Sequence, residues 1–148
     1  MFFEPALPED TEQLVALRIL AMRESLEKIG RFDPQRARDR LLTGFEASHT
    51  RHLLWQTQRV GFVVLKPQAD HLLLDHLYVH PAHQGRGLGA AVIRSVFEQA
   101  TKLELAVRVS ALRGSESNRF YLRCGFKLVG EAEWDNYYLW KPGPGGAA

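Results

Sequence analysis

Cysteine is nearly missing from this 148-residue chain. Cys124 stands alone, so no internal disulfide can form and no cysteine-based zinc site is expected. No apolar run is long enough to span a membrane. The opening MFFEPALPED lacks the basic patch and apolar h-region of a signal peptide, and a cytoplasmic protein is the expectation. A strong charge of one sign is missing too: 19 Lys and Arg against 17 Asp and Glu leave a net +2. That gives no footing for a nucleic-acid partner, although mild basicity suits an anionic cofactor. No internal repeat is visible.

With 45% hydrophobic and 24% charged residues, the chain has the composition of an ordinary soluble globular protein. Its length suits one domain, expected over residues 1–141. The tail from Pro142, P-G-P-G-G-A-A, has nothing to bury, and disorder is expected over 142–148.

Local patterns predict eleven elements. Phe2–Leu7 reads as a strand. From Glu9, apolar residues at Leu14, Leu17, Ala21, Leu26 and Ile29 have helical spacing, with Gly30 as the stop. Asp33-Pro34 reads as an N-cap and first helical position, opening a helix to about Phe45. Its Arg36, Arg38 and Arg40 read as a solvated face. Two strands, His52–Gln56 and Val60–Leu65, form a hairpin turning at Thr57-Gln58, and a third starts at His71. After a glycine loop, a helix buries Leu88, Val92, Ile93, Val96 and Phe97. Leu103, Leu105, Val107 and Val109 alternate as a strand, reached by a right-handed parallel crossover. Ser115–Cys124 reads as a helix closed by Gly125, and strands Phe126–Val129 and Tyr137–Trp140 finish the fold. The order is β-α-α-β-β-β-α-β-α-β-β, an α/β (mixed α+β) architecture.

The most informative run is Leu77 to Ala90, L-Y-V-H-P-A-H-Q-G-R-G-L-G-A. It joins a strand through a proline-marked loop to a helix. Gly85, Gly87 and Gly89 bare the backbone where the first helical N–H groups have no intrahelical partners. With the positive end of the helix dipole, those donors suit a phosphate-bearing ligand. A flexible loop ahead of a helix is the plainer alternative. A P-loop is excluded, because no Lys followed by Ser or Thr has the spacing. A dinucleotide fingerprint is nearly met by Gly85, Gly87 and Ala90, with Glu104 as the acidic residue. That unit usually opens its domain, however, whereas most elements here precede it.

The run resembles the acyl-CoA-binding motif of GNAT-family N-acetyltransferases, Q/R-x-x-G-x-G/A, with Gln84, Gly87 and Gly89 at its defined positions. A second similarity lies in S-N-R-F-Y-L-R-C-G-F, Ser117–Phe126, set against the family's N-x-x-A-x-x-F-Y-x-x-x-G-F. Ser117 stands for the small residue, Phe120-Tyr121 for the aromatic pair and Gly125-Phe126 for the closing pair. The family asparagine falls on Gly114 and is absent; Asn118 is nearby on another helical face. The resemblance covers about Phe2 to Trp140. It implies a GNAT-like mixed, mostly antiparallel sheet with helices on both faces.

Acetyl transfer from a thioester to an amine needs a neutral amine, a stabilised oxyanion and a protonated leaving thiolate. The resemblance implies acetyl-CoA as donor, no metal, and direct attack by an amine of a small molecule or protein in a ternary complex. It puts the coenzyme A pyrophosphate on Gln84, Gly85, Arg86, Gly87, Leu88, Gly89 and Ala90. It puts the acyl-pantetheine arm on Leu77, Tyr78 and Val79, with a backbone N–H there for the oxyanion. It makes Tyr121 a cofactor contact and the thiolate's acid, a phenol being a usable donor at neutral pH; a packing role is the alternative. For the base, Asp75 sits in an otherwise apolar strand and shares a face with Leu73, Leu77 and Val79. Burial would raise its pKa toward a useful range. A solvent-facing or salt-bridged Asp75 is the alternative. His76, on the opposite face, is the second choice. His49, His52, His80 and His83 lack metal-ligand spacing and read as surface residues. Cys124 reads as a packed or inert thiol.

Two other functions fit the same letters. A non-catalytic acyl-CoA-binding regulator would need the glycine loop but not Tyr121. A toxin acetylating charged tRNA would need a concentrated basic surface, and Asp33 and Asp39 interrupt Arg36, Arg38 and Arg40. The turn at Trp134, Asp135, Asn136 and Tyr137 reads as an acceptor contact, a hairpin packing or a homodimer surface.

Overall fold

The computed structural model describes residues 1–143, so most of the expected tail lies outside the described residues. The order of strands and α-helices is the expected one: β1 (Phe2–Pro5), α1 (Thr11–Lys28), α2 (Pro34–Leu42), β2 (Thr50–Trp55), β3 (Gln58–Pro67), β4 (His71–Val79), α3 (Leu88–Leu103), β5 (Ala106–Leu112), α4 (Ser117–Cys124), β6 (Lys127–Glu131) and β7 (Asp135–Trp140). One seven-stranded sheet runs β1-β2-β3-β4-β5-β7-β6. The β1/β2, β2/β3, β5/β7 and β6/β7 pairs are antiparallel. The β4/β5 pair is parallel, with His71 opposite Ala106 and Leu74 opposite Val109, as a strand–helix–strand crossover requires.

The described chain divides into two compact units, Met1–Val64 with His76–Gly89, and Leu65–Asp75 with the chain from Ala90 onward. In the first, Ala6, Leu14, Val15, Leu41, Phe62 and Val64 form the core, flanked by Leu17, Phe45 and Tyr78. Phe62 is fully buried, worth about 1.5–3 kcal/mol over leaving it exposed. α1 stops as expected: Gly30 turns to φ +70°, Gly30 N–H bonds the Glu27 carbonyl, and Arg31 N–H bonds the Leu26 carbonyl. That pair of bonds is a Schellman cap, open to glycine because of the positive φ. Asp33 caps α2 by accepting from the Gln35 and Arg36 amides, worth about 1 kcal/mol.

In the second unit, α3 turns Val92, Ile93, Val96 and Ala100 inward. Phe97, expected to be buried, is half-buried and stacks on Trp140 with ring centroids 3.9 Å apart. Phe126 meets Phe97 at 5.3 Å and Tyr121 edge-on at 5.5 Å, geometries favoured by the ring quadrupoles.

Several boundaries move for identifiable reasons. β1 ends at Pro5, two residues early, and a 3-10 turn over Pro8–Asp10 precedes α1. α2 ends at Leu42 instead of Phe45, and α4 begins at Ser117 instead of Ser115. The hairpin turns at Gln56-Thr57, one residue before the expected pair. Both residues hold positive φ, 51° and 68°, the twist a two-residue hairpin needs even without Asn or Gly. Leu103 is the last residue of α3, not a strand residue. Glu104 turns left-handed at φ 57°, and β5 starts at Ala106.

Candidate active site

β4 delivers the central strand of the site. Its side chains alternate as period two demands: Leu72, Leu74 and His76 are buried, whereas Leu73, Asp75 and Leu77 are partly covered. Asp75 and His76 therefore face opposite ways, as the sequence implies. Asp75 is 12% exposed and pairs with Lys66 Nζ on β3 at 3.2 Å. Of the alternatives for this carboxylate, the salt-bridged one is observed. Two charges this covered need each other, since an isolated one would lose its hydration without return.

His76 lies beside Phe62 and Tyr78, ring centroids 6.4 and 6.0 Å away, and its Nε2 stands 3.4 Å from Arg40 Nη1. A guanidinium only donates, so Nε2 accepts and the ring proton sits on Nδ1. Tyr78 receives Arg18 from α1. The Arg18 Nε donates to the Tyr78 hydroxyl at 3.3 Å, the guanidinium carbon lies 5.5 Å from the ring centre, and Nη1 donates to the Ala37 carbonyl. Arg18 is buried, and one side chain ties α1, α2 and β4 together. Nothing in the helical spacing singles it out. Of the α2 arginines, Arg36 and Arg40 are exposed, as a solvated stretch would be, while Arg38 is partly covered and pairs with Glu12 at 2.6 Å; Arg40 Nη1 also stands 3.4 Å from His76.

The last residues of β4 are held close to β3. The His80 amide donates to the Val60 carbonyl at 2.7 Å. At Gly61 an added Cβ would collide with the Tyr78 carbonyl oxygen and stand 2.9 Å from Leu53 Cδ1. Beyond Val79, His80 Nδ1 caps the Ala82 amide at 3.0 Å, and Pro81 opens a 3-10 turn. Gln84 then folds back, its Nε2 donating to the Val79 carbonyl at 2.9 Å. Loop and strand end are thus brought together by the glutamine that the motif singles out. Gly85 and Gly87 both take positive φ, 79° and 76°, and open space surrounds their missing side chains. Only glycine enters that conformation freely. α3 starts at Leu88, whose side chain is buried. Left-handed residues alternating with others ahead of a helix turn backbone N–H groups into a concave anion-binding surface.

Tyr121 lies in α4 and is buried, its ring against Phe120, Phe126 and Tyr138. Cys124 follows it, half-buried. Burial pushes its thiol pKa up, although the Arg123 and Arg94 charges oppose this. A thiol held protonated is a poor nucleophile.

His52 corrects the sequence reading. It is buried, not on the surface, and its Nε2 meets Asp10 Oδ2 at 2.9 Å. Asp10 also accepts from the Leu7 amide, and Arg59 Nη1 lies 3.6 Å from its second oxygen. The His52 hydrogen bond, followed by the Leu7 amide, holds the Asp10 carboxyl below its usual pKa. A cavity of about 340 Å³ opens beside this cluster, lined by Gln13, Leu17 and Leu20 of α1 with His52, Arg59 and His80. Among the described residues, no group of three or more His, Cys, Asp or Glu is arranged to hold a metal ion. No described helix is long and apolar enough to cross a membrane.

A strand, a glycine turn and a helix start follow one another here on a mixed sheet, in the order that the sequence motif predicts. Residues 48–128, more than half of the chain, match the acetyltransferase (GNAT) domain family. The chain belongs to that family. No curated protein matches the sequence. Among solved structures, the fold is similar to that of the PaiA N-acetyltransferase of Thermoplasma acidophilum, a complex with coenzyme A. Identity is 16%, the match covers 95% of this chain and 98% of that one, and the TM-score is 0.73. A GCN5-related N-acetyltransferase from Rhodopseudomonas palustris gives 21% identity, 95% and 94% coverage and a TM-score of 0.73. An acetyltransferase from Thermus thermophilus gives 20%, 95% and 96%, and 0.72. At such identities the likeness is one of fold.

Proposed function

We propose that this protein transfers an acetyl group from acetyl-CoA to an amine by direct attack in a ternary complex. The observation that carries the reading is the pair of left-handed glycines, Gly85 and Gly87, immediately ahead of α3. They leave a bare, donor-rich turn suited to a pyrophosphate. The coenzyme A bound in the Thermoplasma PaiA structure supports the same ligand class.

In this reading the amides of Gly85 through Ala90 hold the pyrophosphate. Gln84 keeps the turn in place through its bond to the Val79 carbonyl. The backbone of Leu77, Tyr78 and Val79 carries the acyl-pantetheine arm, and one of its N–H groups receives the oxyanion. Asp75 draws the proton from the incoming ammonium, directly or through water. The Lys66 ammonium 3.2 Å away favours the carboxylate form but also lowers its proton affinity, so the base role competes with the salt bridge. His76 is the poorer base, because Arg40 occupies the Nε2 lone pair. Tyr121 returns a proton to the departing thiolate. The half-buried, protonated Cys124 argues against an acyl-enzyme route.

The test is calorimetry with acetyl-CoA on the wild type and Gly87→Val. Open space around Gly87 makes backbone strain the main effect, so the domain should stay folded while affinity falls at least tenfold. Unchanged affinity would remove the main support for the reading. Acetyl-CoA consumption against polyamines, amino acids, aminoglycosides and lysine peptides then identifies the acceptor.

A further inference from the structure

The family asparagine is replaced by Gly114, yet an asparagine one helical turn later makes a fully bonded side-chain junction in the second unit. Asn118 Nδ2 donates to the Leu112 carbonyl and the Ser115 carbonyl, both at 2.9 Å. Its Oδ1 accepts from Asn136 Nδ2 at 2.9 Å and from the Tyr138 hydroxyl at 2.7 Å. A carboxamide has two N–H donors and two acceptor lone pairs, and all four are used. The orientation is fixed by chemistry: two backbone carbonyls only accept, so the nitrogen must face them. The oxygen is thereby turned toward β7. That in turn sets the Asn136 amide and makes the Tyr138 hydroxyl a donor. Burial pushes the Tyr138 pKa up, which keeps that proton in place.

This junction reaches Tyr121 by two routes. Asn118 lies three residues before Tyr121 on α4, so the bonds to Leu112 and Ser115 fix the start of the turn that carries the phenol. Asn118 also holds Tyr138, and the Tyr121 ring packs against the Tyr138 ring, centroids 6.2 Å apart. Backbone and packing partner are thus anchored by one carboxamide. We infer that Asn118 is the positioning residue for the Tyr121 phenol, setting where its proton is delivered in acetyl transfer. The inference rests on the assignment of Tyr121 as the thiolate's acid. It gives Asn118 no contact with the ligand.

A double-mutant cycle separates positioning from mere stability. Single-turnover CoA release from acetyl-CoA is followed with hydroxylamine as the probe nucleophile, an amine largely neutral at pH 7 that needs no base. The variants are Asn118→Asp, Tyr138→Phe as the milder change that keeps the ring, and Tyr121→Phe. Asn118→Asp sets carboxylate oxygens against the Leu112 and Ser115 carbonyls. It should slow the step about 10- to 100-fold with acetyl-CoA affinity changed less than about threefold, and Tyr138→Phe should slow it by a smaller factor. In the Tyr121→Phe background, both changes should cost less than about twofold, because the proton they position is gone. Equal losses in the two backgrounds would overturn the inference. So would a wild-type rate in both Asn118→Asp and Tyr138→Phe. If Asn118→Asp does not fold, the Tyr138→Phe arm decides alone. Tyr121→Phe at the wild-type rate is a distinct result, which removes the acid assignment itself.

Discussion

Gly61 on β3 lies directly beneath the carbonyl oxygen of Tyr78 on β4, so close that even a methyl side chain would displace one of them. An added Cβ would also stand 2.9 Å from Leu53 Cδ1 and 3.3 Å from Val79 Cα. The crowded atoms are mainly backbone, and backbone cannot swing aside as a flexible side chain can. The path of β4 at Tyr78-Val79, the proposed seat of the acyl arm, therefore depends on Gly61 having no Cβ. Gly61→Ala should destabilise the fold by about 1–3 kcal/mol, as overpacking does. It should also weaken acetyl-CoA binding in protein that remains folded. Denaturant titration and calorimetry measure the two effects, and wild-type values in both would show that the strand relaxes at no cost.

The Lys66–Asp75 pair makes a signed prediction about pH. Asp75→Asn should lower kcat about 10²–10⁴-fold with an aliphatic amine acceptor, the usual worth of a positioned base. Lys66→Met removes the cation that favours the carboxylate, so the Asp75 pKa should rise. A base works only when deprotonated, and the acidic limb of kcat/KM should therefore move to higher pH. A Lys66→Met profile overlying the wild type, with Asp75→Asn at full rate, would exclude Asp75 and pass the role to His76 or a water chain.

Much of this architecture is legible in the letters because its signals are local. Asp33-Pro34 caps a helix, Gly30 ends one, and Gly85 and Gly87 turn left-handed where the motif calls for it. The hairpin at Gln56-Thr57 is displaced by one residue because its twist comes from strand pairing, with no Gly or Asn to mark it. Leu103 and Leu105 alternate convincingly with Val107 and Val109, yet the helix runs on through Leu103, since periodicity cannot say where one element yields to the next. The side chains that tie elements together are the least legible. His52 finds Asp10 across 42 positions and Arg18 finds Tyr78 across 60. Asn118 is visible in the sequence, but not the partners at Asn136 and Tyr138 that use its carboxamide.

The Asp10–His52 bond should show itself in acid. Asp10 has its carboxyl pKa lowered, chiefly by His52 and then by the Leu7 amide. A group with a lowered folded-state pKa adds stability at pH values above its unfolded pKa, about 4 for a carboxylate, and loses it as pH falls through the folded value. Asp10→Asn should therefore be less stable than wild type at pH 7, with the difference shrinking as the pH falls below the ordinary carboxylate value of about 4. Urea midpoints across that range measure it. A constant difference at every pH would mean that the Asp10 charge contributes nothing beyond its shape.

Tyr121 decides whether the site is catalytic. Its ring is buried among Phe120, Phe126 and Tyr138, so packing alone could account for an aromatic residue there, and only the hydroxyl tells the two roles apart. Tyr121→Phe keeps the ring and most of its contacts while removing the proton. If the phenol protonates the thiolate, kcat should fall about 10²–10⁴-fold while acetyl-CoA affinity changes little. A packing tyrosine would give either no loss of rate or a loss that tracks stability. Steady-state turnover is the wrong measure, because slow product release can hide the chemical step. Rapid-quench single turnovers with acetyl-CoA saturating, read beside a melting curve, separate these cases. Acetyl transfer by Tyr121→Phe at the wild-type rate would leave the coenzyme A reading intact but require another acid.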